Sequence, residues 1–275
     1  MKPAPFDYVR ARTSDEVLAV LHEEGADARV LAGGQSLLPM LNMRLARPAV
    51  LVDIMAVAEW HILRDDGATL HIGAAVRQVE IERMADLQRR QPLLAAALPW
   101  VGHAQTRNRG TVCGSVAHAD PSAELPLVLL VLGGNIHLRS RRRARHLSAD
   151  AFFTGMMTTA RADDEIIEAV SLPTVRPRTG YAFREVARRH GDFAIIACAA
   201  MVDDAGVRLA VGGVADRPTV CRLPSATSQD VTELLDRFAW ELDARDDLHA
   251  TARYRRELVR QLGRAVIAEA DRCRA

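Results

Sequence analysis

The segment TVRPRTG (174–180), which carries a proline and a glycine and follows directly on Pro173, limits what this chain can fold into more than any other stretch. Proline removes a backbone donor and fixes φ, and it pushes the preceding residue out of the helical region, so neither a helix nor a central strand runs through. The segment divides the 275 residues into two parts of different pattern. Ahead of it, short helices and strands are mixed. Beyond it come strand-like runs at 193–202, 207–211 and near Val220, then a helical tail with Tyr254, Leu258, Leu262 and Val266 on one stripe. Strands followed by helices indicate an α+β protein rather than a doubly wound sheet.

The first part subdivides again. Thr13 and Glu16 form a T-x-x-E capping box, Val17, Leu18 and Leu21 give the helix an apolar face, and Gly25 supplies its stop. A short strand at 28–31 then runs into AGGQSL (32–37), and AVLVDI (49–54) reads as a buried strand. From Trp60 onward a strand at 69–73, helices over 77–84 and 92–101, a hairpin at 134–147 and a closing strand at 165–173 form a second unit. The chain therefore divides into lobes at 1–60 and 61–175 and a C-terminal domain at 176–275.

Composition excludes several roles. A net charge of +1 gives no field to draw in nucleic acid, and the arginine run RSRRRAR (139–145) has no interleaved aromatics, so it reads as a solvated loop or subunit contact. No apolar stretch reaches the length of a membrane span; the run 125–132 is broken by Pro126. The N-terminus lacks the apolar core of a secretory signal, so a cytoplasmic protein is expected. Four scattered cysteines make neither a disulfide framework nor an iron–sulfur or zinc site.

Two glycine-bearing stretches remain. In AGGQSL, adjacent glycines permit φ > 0 and close approach to the backbone, successive N–H groups can cradle phosphate oxygens, and Ser36 adds a hydroxyl. In TVCGSVAHADPSAELP (111–126), Thr111, Gly114 and Ser115 offer a second amide-bearing loop, and Asp120 can accept from a ribose or ring N–H. Taken singly, each is also consistent with an ordinary turn, the second leading into a helix near Ser122. Neither a Rossmann nor a Walker fingerprint occurs, and no G-x-S-x-G or H-E-x-x-H is present. A third segment, FREVARRHGDFA (183–194), crowds charges around Gly191 and places Phe193 where it could stack on a flat ligand or simply open a strand.

As an ordered set along the whole chain, these segments resemble the FAD-binding flavoprotein family of the molybdenum hydroxylases, with medium subunits of carbon monoxide dehydrogenase-type enzymes nearest in pattern. The resemblance implies a two-lobed FAD-binding module of the vanillyl-alcohol-oxidase type followed by a C-terminal antiparallel sheet plus helices. It places Ala32, Gly33, Gly34, Gln35, Ser36 and Leu37 at the FAD pyrophosphate. Thr111, Gly114 and Ser115 would form the second loop, with His118 and Asp120 beside the cofactor. Leu172 would line the adenine or flavin side, and Arg184 and Phe193 would lie near the flavin ring. Cys113 stands where relatives commonly have glycine, and Arg184 where some have lysine. The resemblance further implies an electron relay with no catalytic acid, base or nucleophile of its own. Its [2Fe-2S] clusters would sit in a small partner subunit and its molybdenum cofactor in a large one, in a dimer of heterotrimers. A self-sufficient FAD-dependent oxidoreductase and a non-catalytic assembly protein with a vestigial nucleotide pocket are the alternatives.

Overall fold

A computed structural model describes residues 2–226 and 231–274. The first lobe is a parallel three-stranded sheet built from β1 (Asp7–Arg10), β2 (Ala28–Leu31) and β3 (Val50–Asp53), with β3 in the middle. Helix α1 (Ser14–Glu24) packs Val17, Leu18 and Leu21 onto this sheet. Its N-cap is Thr13, whose Oγ1 accepts from the Glu16 N–H at 3.3 Å. The Glu16 carboxylate reaches one residue further back than a closed capping box requires and takes the Arg12 N–H at 2.7 Å. Gly25 ends the helix at φ 52°. Between β2 and β3 lies the short helix α2 (Leu37–Asn42).

The second lobe centres on a five-stranded antiparallel sheet. Its strands are β4 (Leu63–Asp65), β5 (Thr69–Gly73), β6 (Asn135–Arg139), β7 (Ala144–Ser148) and β10 (Ile166–Pro173), in the order β4-β5-β10-β6-β7. The last strand in sequence is thus inserted at the centre rather than added at an edge. Helices α3 (Gln78–Glu82), α4 (Leu87–Arg90), α5 (Pro92–Ala97), α6 (Ala104–Arg107), α7 (Val112–His118) and α8 (Glu124–Leu132) fill the connection from β5 to β6. All nine residues of α8 are buried, so the apolar run 125–132 is a core helix. Helix α9 (Ala149–Phe152) and the two-stranded hairpin β8 (Phe153–Gly155) and β9 (Thr158–Thr159) follow β7. The arginine-rich turn of the β6–β7 hairpin is tied down, with Arg145 Nη2 2.6 Å from Oε2 of the buried Glu165.

The segment 174–179 leads into an antiparallel meander of β11 (Gly180–Val186), β12 (Ile196–Asp203), β13 (Gly206–Gly212) and β14 (Thr219–Leu223). Helices α10 (Val231–Glu241) and α11 (Ala252–Arg272) cover one face. On α11 the buried residues are Arg255, Val259, Gly263, Val266, Ile267 and Ala270, so the stripe read through Tyr254, Leu258 and Leu262 is displaced by one position. Arg255 causes the shift. It is buried because its Nη1 donates to the backbone oxygens of Ile195 (2.6 Å) and Gly213, and its Nη2 pairs with Asp247 at 2.5 Å. The other sheet face joins the core of the second lobe, where Phe183, Ala197, Ala199 and Ala210 pack with α5 and α8. Among the described residues no helix is long and apolar enough to cross a membrane.

Candidate cofactor cleft

Strand β2 ends at Leu31 and the chain turns sharply before α2. Gly34 takes φ 71°, a left-handed conformation that favours glycine. Gly33 has a different constraint: a Cβ there would lie 2.2 Å from the Arg109 carbonyl oxygen and 2.6 Å from the Gly110 Cα. The turn of the first lobe is therefore seated directly on backbone of the second. Inside the turn, Gln35 Nε2 donates to the Gly33 oxygen at 3.2 Å and the Leu38 N–H to the Gly34 oxygen at 3.0 Å. The N–H groups of Gly33, Gly34, Gln35, Ser36 and Leu37 have no acceptor among the described residues. Backbone donors are rarely left unpaired without a ligand or water to take them.

The second glycine-bearing stretch is not a loop. Thr111 is the N-cap of α7, its Oγ1 accepting the Gly114 N–H at 3.0 Å, so its hydroxyl has a structural task. A Cβ at Gly114 would lie 2.7 Å from that hydroxyl. Cys113 sits in the first turn of the helix, buried, with its Sγ 3.5 Å from the Ile72 oxygen. Burial pushes its thiol up to about 12, which keeps it protonated and unreactive. A helical residue needs no positive φ, which is why cysteine is accommodated there. At the other end of α7, Ala119 takes φ 52° and the chain turns through Asp120, whose Oδ1 accepts the Ser122 N–H at 2.8 Å. The following helix opens at Glu124, two residues later than expected.

These elements enclose a cleft of about 840 Å³, within the range that holds a large cofactor. Ala32, Gly33, Gly34, Gln35, Ser36 and Leu37 line it on one side, and Thr111, Gly114, Ser115, His118 and Asp120 on the other. Phe193 joins them from the loop between β11 and β12. It is 73% exposed and lies three residues before its expected strand begins at Ile196. His118 has its pKa lowered by burial, with the charge of Asp120 opposing, so it tends to be neutral.

Two expected residues lie elsewhere. Leu172 is 1% exposed, inside the core of the second lobe, and its backbone oxygen accepts from Gln91. The cleft is lined instead by Ile166 and Ile167 at the start of the same strand, beside a break in register between β10 and β6 after Ile167. Such irregularities re-aim side chains at sites. Arg184 projects to the opposite face of its strand and pairs with Glu269 of α11 at 2.7 Å. Several lining residues escaped the sequence reading. Gln78 is buried with Oε1 unpartnered, and Arg161, Met157 and Glu124 also reach the cleft. Among the described residues no cluster of three or more histidines, cysteines or acids could hold a metal ion.

Fold and cleft together define a two-lobed α+β protein with a cofactor-sized cleft and a C-terminal sheet domain. Residues 4–175 match the family model described as the FAD binding domain in molybdopterin dehydrogenase, and residues 181–270 match the CO dehydrogenase flavoprotein C-terminal domain. The chain belongs to this family, the FAD-binding medium subunits of molybdenum hydroxylases. It is 34% identical to the alpha subunit of the 6-hydroxypseudooxynicotine dehydrogenase complex of Paenarthrobacter nicotinovorans, over 98% of this chain and 96% of that protein. It is 33% identical to the carbon monoxide dehydrogenase medium chain of Hydrogenophaga pseudoflava, over 83% of this chain and 81% of that one. A solved carbon monoxide dehydrogenase from the same organism superposes with a TM-score of 0.93 at 30% identity, over the full length of both chains. Quinoline 2-oxidoreductase of Pseudomonas putida 86 superposes with a TM-score of 0.90 at 31% identity, over 99% of each chain.

Proposed function

We propose that the cleft holds FAD and that the chain relays electrons within a heteromeric molybdenum hydroxylase. The observation that carries this reading is the run of unpartnered N–H groups from Gly33 to Leu37, in a cleft of cofactor size. These amides and the Ser36 hydroxyl suit the pyrophosphate, because consecutive backbone donors concentrate partial positive charge where no side-chain cation is needed. Ser115 offers a second hydroxyl from across the cleft, and Ile166 and Ile167 offer an apolar surface for a flat ring. Phe193 stands free enough to stack on another.

Bound flavin supplies the ability to exchange electrons singly or in pairs, which suits a junction between one-electron iron–sulfur clusters and an external acceptor. The chain's own residues bind, orient and shield. Cys113 is held neutral by burial and His118 is biased towards neutrality, so neither supplies a strong nucleophile or acid. On this reading the [2Fe-2S] clusters belong to a small partner and the molybdenum cofactor, with the substrate site, to a large one. The assembly is a cytoplasmic dimer of heterotrimers.

Purification of the native assembly tests the proposal. The expected result is a yellow chain, bleached by reductant, that copurifies with molybdenum, iron and two further subunits. A colourless chain that takes up no FAD overturns the cofactor assignment. A yellow monomer that oxidises its own substrate without metal overturns the relay.

A further inference from the structure

Arg161 lines the cleft with part of its guanidinium uncommitted. It follows β9, and its Nη1 donates to three carbonyl oxygens of the loop it begins: Ala162 at 2.7 Å, Asp163 at 3.3 Å and Glu165 at 2.6 Å. The loop is fastened a second time where the Ala162 N–H donates to Glu165 Oε2 at 2.9 Å. The guanidinium is thereby fixed beside the backbone that leads into Ile166 and Ile167. Among the described residues its Nε and Nη2 have no acceptor, and it forms no ion pair. Glu165, the buried acid of the same loop, is already taken by Arg145 at 2.6 Å and Arg143 at 3.3 Å. A cation held in place with donors to spare suits a ligand's lone pairs, because little remains to be ordered on binding.

The cleft offers two stations for a flat ring. One is an apolar bed: Ile54, Ile166 and Ile167 all line the cleft while being at most 3% exposed, and Ile54 and Ile166 share the core of the first lobe. Arg161 belongs to this station. The other is Phe193. A Cβ at Gly213 would lie 3.1 Å from the Ala194 oxygen, and the Gly213 N–H donates to the Pro121 oxygen at 2.8 Å, so Gly213 brings the Phe193 loop up to Asp120. The stations differ in chemistry. Asp120 can accept from an isoalloxazine N–H, whereas Arg161 only donates. Adenosine answers Arg161, because its ring nitrogens and ribose oxygens are acceptors.

We propose that Arg161 and the bed of Ile166 and Ile167 form the adenosine end of the cleft, with Arg161 the residue that makes the chain select FAD over FMN. This rests on the reading of the cleft as a flavin site. FMN can fill the Phe193 station and place its phosphate on the Gly33–Leu37 turn, but it leaves Arg161 without a partner. ADP fills the turn and the Arg161 station and leaves Phe193 bare.

Binding of FAD, ADP and FMN to the full chain freed of flavin tests this. Arg161→Met keeps the stem and removes the donors. It should weaken FAD and ADP about tenfold, the loss of one charged hydrogen bond, and leave FMN affinity unchanged. Equal losses for all three ligands, or none, overturn the proposal. Because the variant also releases the loop carbonyls, the wild-type chain supplies a second measurement. ADP should protect Arg161 from modification by phenylglyoxal, read by mass spectrometry, and FMN should not. Protection by FMN, or none by ADP, overturns the assignment. A chain that binds ADP but neither FAD nor FMN overturns the flavin reading and leaves the adenosine end standing; one that binds none of them overturns both.

Discussion

A methyl group on Gly33 would lie 2.2 Å from the Arg109 carbonyl oxygen, and no side chain stands there to move aside. Gly33→Ala should therefore lower stability by roughly 1–3 kcal/mol as well as FAD affinity, and loss of cofactor alone would not prove contact with it. Ser36→Ala is the cleaner probe. The Ser36 hydroxyl makes no capping bond in α2, so its loss should weaken FAD binding by about tenfold and leave the melting temperature of the flavin-free chain unchanged. Flavin fluorescence titration beside a thermal melt separates the two effects. Phe193, largely exposed, should tolerate Ala without loss of stability while the potential of the bound flavin shifts; an unchanged redox titration would return Phe193 to the surface. Residues of this kind were legible because glycine pairs and a lone aromatic beside a glycine stand out locally. Glu124, Gln78 and Ile167 were not, because each reaches the cleft through packing of distant segments. Leu172 was misplaced by the length of one strand: β10 is buried along most of both faces, so its sequence does not reveal which end meets the cleft.

Secondary elements were read well where capping chemistry or a turn signalled them. Thr13 and Gly25 bound α1, and the β6–β7 hairpin lies where the sequence indicated. The glycine and serine of 112–118 suggest an amide-bearing loop, but the Thr111 cap and the burial of Val112, Cys113 and Val116 make it a helix. On α11 the stripe through Tyr254, Leu258 and Leu262 follows the apolar side chains alone, whereas Arg255 is drawn inside by two backbone oxygens and Asp247 and turns the helix by one position. The same helix presses on the start of β11. A Cβ at Gly180 would lie 1.7 Å from the Ala270 carbonyl oxygen, so Gly180→Ala should cost about 1–3 kcal/mol by lifting the end of α11 from the sheet. Denaturant unfolding measures the loss, and FAD content at low denaturant should remain near that of the wild type because the cleft lies elsewhere.

At the scale of the molecule, buried acids and paired acids pull stability in opposite directions with pH. Glu124 and Glu185 bind their protons more tightly folded than unfolded, so they reduce stability as pH rises from the ordinary value of 4.5 through about 7 and about 8. Asp65, held low by its hydrogen bond from Arg90, and Asp66, held low by the Thr69 and Ala68 N–H groups, act in the reverse sense. Their stabilisation is present above the ordinary carboxylate range and is lost on acidification. Stability should therefore peak on the mildly acid side of neutrality. Glu185→Gln should flatten the alkaline decline, and denaturation midpoints across the pH range that ignore the variant would contradict the assignment. The α+β order was legible from the break at 174–180, because a proline such as Pro177 stops elements whatever surrounds it. The central place of β10 and the shared core of the two sheets were not, since both depend on which distant strands pair.

The seating of Gly33 on the backbone of Arg109 and Gly110 bears on how sequences of this architecture are interpreted. Steric exclusion at that point operates with or without a bound cofactor, so a descendant that had lost flavin would still be held to glycine there. A glycine at this position therefore diagnoses the junction of two lobes. The Ser36 and Ser115 hydroxyls, which no neighbour in the fold demands as caps, are the positions where loss of the cofactor would first leave its mark.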